Sequence, residues 1–316
     1  MGQYHGWVAS INANNLSDQI YFSPTINVFG GGIWGPGGVA AASDGTIYVA
    51  TGNGTTADDT YWAKIPPGKH PGDLGDYFIA VVKLDAGLNV LDWYQPGPPL
   101  DVRKQNSTDQ DFGSSSVLIV PDTTGRPMAV FSPKAGIYLL DRINLGHFGN
   151  ELWKAEGVFP SESHSAPALY ETPSGEHFLY FMGDGRLTNP DNTKAIFAPD
   201  LRCYKVVFPG LGASLQPVWS TPPGSPTLSV YGGSPTVGSI SGKSPYALVW
   251  VVGLSESDNE GTLYAFDALT GAPVYDSSVR PADKLGQIAH FAPVTCAGQS
   301  VFVGTAEGLG CYGVMR

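Results

Sequence analysis

Two histidines are the side chains with the clearest capacity for chemistry. His164 and His290 each lie three residues before a proline, Pro167 and Pro293, in a short recurring unit, and are expected at equivalent places on the innermost strands of two repeats. Neutral imidazole binds metal ions and moves protons near neutral pH, so a shared site is conceivable. The competing reading is a pair of repeat-equivalent polar side chains lining a wet channel. An acidic loop, Glu256-Ser257-Asp258-Asn259-Glu260, offers the hard oxygens calcium prefers: Glu256, Asp258 and Glu260 are the candidate ligands. It lacks EF-hand spacing, and a solvated surface run is the leading reading. The same holds for Asp58, Asp59, Asp73 and Asp76. Trp34, Tyr61, Trp62, Phe112 and Tyr231 could stack on a sugar or a planar cofactor, or merely pack loops down. Gly30-Gly31-Gly32 is no dinucleotide fingerprint, because no helix follows it. Ser163-His164-Ser165 is no nucleophile elbow. Cys203, Cys296 and Cys311 form neither a CxxC motif nor an even set for a disulfide framework.

The elements that must position these groups follow from a repeat. Small residues, then proline or a substitute, then an apolar run occur at Gly37-Gly38-Val39, Ser115-Ser116-Val117, Ala166-Pro167-Ala168, Ser234-Pro235-Thr236 and Ala292-Pro293-Val294. A second β-branched or aromatic run follows each: Thr46 to Ala50, Met128 to Phe131, Phe178 to Met182, Ala247 to Val252, and Val301 to Val303. A third ends on Asp, as in Tyr138-Leu139-Leu140-Asp141 and Tyr264-Ala265-Phe266-Asp267. A fourth ends on Trp93, Trp153, Trp219 or Tyr275. Four antiparallel strands per repeat predict an all-β protein, a β-propeller with five recognisable blade units. The units span about 31–96, 111–157, 163–222, 231–278 and 288–316, with a partial one over 1–30. Composition agrees, since 41 Gly and 26 Pro in 316 residues exclude a helical bundle, and almost no helix is expected. A formal net charge of −11 argues against nucleic acid, and no stretch has the length of a membrane span.

Gly261-Thr262-Leu263-Tyr264-Ala265-Phe266-Asp267-Ala268-Leu269-Thr270-Gly271 resembles the repeat of pyrroloquinoline-quinone (PQQ)-type, quinoprotein alcohol dehydrogenase-like propellers. So do Asp44 to Gly54 and Ala135 to Arg142. The resemblance implies seven or eight blades in a whole ring, a periplasmic or secreted home, and in catalytic members PQQ with calcium. The vicinal cysteine pair of those members is absent here, as is a CxxCH haem motif. No cofactor is therefore expected, with PQQ and calcium belonging to the alternative reading. The N-terminus carries no signal-peptide pattern. The chain opens in mid-blade, with strands expected at Trp7 to Ala13 and Ile20 to Phe22. Either an N-terminal strand completes the last blade, or the chain is the C-terminal part of a larger propeller.

Strand alternation puts the long segments on one face: Thr55 to Asp76, Gly97 to Gln110, Asp184 to Asp200, Leu254 to Glu260, and Val279 to Gln287. Long loops often carry function, so this face is where a small ligand, glycan or protein partner is expected. The leading reading is a non-catalytic binding propeller. The alternatives are a PQQ- and calcium-dependent alcohol or sugar dehydrogenase, and a structural subunit self-associating through exposed blade edges. Excision of Thr55 to Asp76 is expected to leave the fold intact, because loop length costs little entropy.

Overall fold

The computed structural model describes every residue except 1–2, 122–125, 135, 160–161, 185, 189–194, 198–199, 211, 224–225, 227, 229–231, 240–245, 256–257 and 314–316, and only the backbone of 99–100, 186–188 and 195–197. It is all-β, built of four-stranded antiparallel meanders of the propeller-blade kind. Two compact units divide the chain: residues 1–134 with 138–154, and residues 135–137 with 155–316.

The first unit opens on a hairpin, β1 (Val8–Asn12) with β2 (Asn15–Phe22), which is a sheet of its own. Its first blade is β3 (Ala40–Ala41), β4 (Ile47–Thr51), β5 (Ala80–Leu84) and β6 (Val90–Tyr94). Its second is β7 (Leu118–Val120), β8 (Met128–Phe131), β9 (Ile137–Asp141) and β10 (Glu151–Ala155). The second unit holds β11 (Ala168–Glu171) and β12 (His177–Met182), then a hairpin of β13 (Arg186–Thr188) and β14 (Ala195–Phe197). β15 (Leu201–Val207) and β16 (Ser214–Ser220) complete the blade that β11 and β12 begin. Another blade is β17 (Thr236–Ser239), β18 (Ala247–Leu254), β19 (Gly261–Asp267) and β20 (Pro273–Asp276). The last described sheet has three strands, β21 (Val294–Ala297), β22 (Ser300–Thr305) and β23 (Gly308–Gly313).

The recurring small residues precede the first strand of each blade; Gly38 takes φ +70° in open space, while close packing fixes glycines beside the repeat. A side chain at Gly35 would collide with the carbonyl of Ser115, and one at Gly233 with that of Ala292. Across such contacts Gly37 N–H donates to Ser116 Oγ at 2.8 Å, and Ala166 N–H to Ser234 Oγ at 2.9 Å. Middle strands are buried on both faces, which is why β8 and β12 read as unbroken apolar runs rather than alternating ones. A tyrosine on the second strand ties one blade to the next within each unit. Tyr48 Oη lies 3.5 Å from the Arg142 carbonyl, and Tyr180 Oη donates to the Ala268 carbonyl at 2.9 Å. The Asp267 turn forms as its residues dictate: the carboxylate accepts from the Leu269 and Thr270 N–H groups, and Gly271 takes φ +70°.

Two expectations change. Helix is present inside the insertions, as α1 (Asp59–Trp62) and α2 (Pro99–Ser107). Pro99 at the first position of α2 supplies a pre-set φ where no N–H is needed. The segment 55–76 is also no detachable loop. Tyr61 is buried in the core with Phe78 and Ile79, and Trp62 and Ile65 pack against them. Excision would remove part of that core, so it is expected to unfold this unit.

All three cysteines are free. Cys296 pairs with Val301 and Cys311 with Phe302, on opposite sides of β22, too far apart for a disulfide. Burial pushes the Cys203 and Cys296 thiols up. Exposed Cys311 is expected to react first with a thiol reagent, and Cys203 only after unfolding. An intact mass short by two hydrogens would contradict the free state.

Candidate functional site

In the first unit the two long insertions meet. Asn106, on α2, brackets Gly54: its Oδ1 accepts from Gly54 N–H at 2.7 Å and its Nδ2 donates to the Gly54 carbonyl at 3.1 Å. Arg103 pairs with Asp59, and His70 Nε2 lies 2.8 Å from the Gly97 carbonyl. A rigid base lies beneath. Asp76, fully buried, accepts from Ile26 N–H at 2.7 Å, Asn27 N–H at 2.8 Å, Asn27 Nδ2 at 2.9 Å and Tyr61 Oη at 2.9 Å. Burial first, and the Asp76 carboxylate second, hold the Tyr61 phenol far above its ordinary range, so it stays a donor. Over this base opens a cleft of about 620 Å³. Thr60, Lys64, Asp58 and Thr56 give it polar walls, and half-exposed Leu74 one apolar surface. Asp58 also caps α1, its carboxylate accepting from Tyr61 N–H at 2.9 Å.

A second group of polar side chains surrounds Asp111, between α2 and β7. Asp111 is 7% exposed, and its carboxyl faces the backbone N–H groups of Asn53 and Gly113. Its Oδ1 has no hydrogen-bond partner, nor does the buried Oδ1 of Asn53. That Asp111 oxygen lies over the Cα of Gly52, where a side chain would strike it and the Trp34 ring together. Burial lifts the Asp111 pKa to about 6; Lys134 opposes the rise less strongly, and Asp109 adds to it. Lys134 Nζ is 2.7 Å from Asp109 Oδ2, and the Asn53 amide donates to the other Asp109 oxygen. The Tyr4 and Trp34 rings stand 6.4 Å apart at 48°, both partly exposed. Burial, then Asp111 and Asp109, push the Tyr4 phenol up.

The candidates named from sequence are dispersed. Trp34 is 46% exposed and open to a ligand. Tyr61 lines the cleft from below, while half-buried Trp62 donates its indole N–H to the Ala57 carbonyl at 2.9 Å. Phe112 cannot stack on a ligand, since it is wholly buried against Phe131 and Tyr138. His164 and His290 precede β11 and β21 rather than lying on them. His164 Nε2 is 3.2 Å from Glu162 Oε2, and its ring is 5.6 Å from Phe291, the chain neighbour of exposed His290. Asp258 spends its carboxylate on its own turn, accepting from Glu260 N–H at 3.1 Å. Among the described residues no three His, Cys, Asp or Glu side chains gather as a metal site. Glu256 and Tyr231 lie outside the described residues. Asp111, Asn53, Asp109, Lys134 and Tyr4 carry no sequence signal of their own. Their neighbours Gly52 and Gly54, after β4, and Gly113, in the short 3-10 turn Phe112–Ser114, are the nearest hint.

No family model matches the chain, and no curated protein matches it. A similar solved structure is that of the dihydro-heme d1 dehydrogenase NirN in complex with DHE. Identity is 11% and the TM-score 0.39, over 96% of this chain and 47% of that one. The chain thus spans about half the length of that protein.

Proposed function

We propose that this protein is a non-catalytic binder whose ligand, a polyhydroxylated small molecule of one or two sugar units, occupies the cleft over Asp76. The cleft carries this reading. Its volume of about 620 Å³ falls within the usual range for small-molecule sites. Its walls combine a carboxylate, an ammonium and two hydroxyls beside an apolar side chain, the mixture a sugar's hydroxyls and C–H face require. The Asp76 clamp holds the base in place without ligand, which lowers the ordering cost of binding.

Calorimetric titration with a panel of mono- and disaccharides tests this. Lys64→Ala and Thr60→Ala, both at exposed positions, are expected to weaken the best ligand without changing the melting temperature. Loss of one hydrogen bond to a charged group corresponds to roughly tenfold in affinity. Absence of saturable sugar binding overturns the assignment. Dye reduction on adding PQQ, calcium and an alcohol or sugar would replace it with the quinone-dehydrogenase alternative.

A further inference from the structure

We propose that Asp111, Asn53 and the Tyr4–Trp34 ring pair form a second binding site, for the ammonium group of a small organic amine. The proposal is independent of the sugar cleft. Two buried oxygens of this group have no donor, Asp111 Oδ1, which lies against Gly52 and the Trp34 ring, and Asn53 Oδ1. Buried acceptors are normally paired, so the arrangement is complete only when something brings N–H or O–H groups to it. The surroundings select a cation. Asp109 and Asp111 carry two carboxyl groups against one ammonium, Lys134, which is already held by Asp109. An ammonium offers up to three donors to such acceptors and a positive charge for Asp111.

The rings favour an organic cation over a bare metal ion. Tyr4 and Trp34 meet at an open angle and leave ring surface exposed, where an alkylammonium gains both cation–π attraction and apolar contact. Calcium would want six or more oxygens, and the group supplies two carboxylates and one amide. The Trp34 ring rests against Gly32 and Gly52, beside Asp111 Oδ1.

Titration of the full chain with butylammonium chloride, followed by ligand-observed NMR and calorimetry, decides the matter. Butanol serves as the neutral isostere and sodium chloride as the ionic-strength control. Saturable binding of butylammonium but not butanol is expected at pH 7.5. Affinity should fall about tenfold at pH 5, one unit below the Asp111 value, where the carboxyl is protonated. Asp111→Asn should abolish binding while leaving the melting temperature at or above wild type, and Trp34→Ala should weaken binding but keep its pH dependence. Equal binding of butanol, wild-type affinity in Asp111→Asn, or no saturable binding at all, which would leave bound water as the missing donor, each overturns the proposal. Sugar binding in the cleft is expected to survive Asp111→Asn, so failure of one site does not imply failure of the other.

Discussion

Asp76→Ala is expected to destabilise the first unit by about 3 kcal/mol or more, because it strands several donors at once. The carboxylate is wholly buried and receives two backbone N–H groups, an amide and a phenol, from Ile26, Asn27 and Tyr61. Ile26 and Asn27 are exposed and can turn to water at modest cost. Tyr61 cannot, being 6% exposed within the core that includes Phe78. A typical domain has only about 5–15 kcal/mol in hand, so the loss should be plain in urea denaturation. Tyr61→Phe removes one donor together with its bond and should cost about 1 kcal/mol. A loss below that value in Asp76→Ala would show that the clamp is replaced by solvent without penalty, and the cleft above it would then lack a rigid base.

Asp111→Asn should raise stability, and only at neutral to alkaline pH. The Asp111 pKa stands near 6 in the folded protein against 3.8 ordinarily, because burial disfavours the charged form. The folded state therefore binds the proton more tightly. Its stabilising contribution is complete below about pH 4, declines as pH rises through 6, and is absent above. The difference between the two plateaus is roughly 3 kcal/mol. Asparagine keeps the shape without the charge. The variant is thus expected to exceed wild type by up to about 3 kcal/mol at pH 8 and to match it near pH 4. Denaturant melts across that interval are the measurement. A pH-independent difference would mean that Asp111 is ionised at an ordinary value, with Lys134 and the Asn53 and Gly113 N–H groups outweighing burial.

The blade pattern was legible in the amino-acid order because its causes are local. A β-branched run between turn residues is a strand whatever surrounds it, and Asp267 with Gly271 makes its turn from five consecutive residues. The recurrent small residues before each first strand were equally visible, being consecutive in the chain. The site was not. In Gln110-Asp111-Phe112-Gly113 nothing distinguishes a solvated acid from a buried one. Asp111 is buried against Gly52 and Trp34, and its proton affinity is set first by that burial and then by Lys134, which the packed blades bring to it. Phe112 reads as a ligand-stacking aromatic and is a core residue for the same reason. Burial, orphaned acceptors and shifted proton affinities are sums over contacts between distant segments. Local residue types constrain those segments' strands, while the folded packing alone decides which groups face one another.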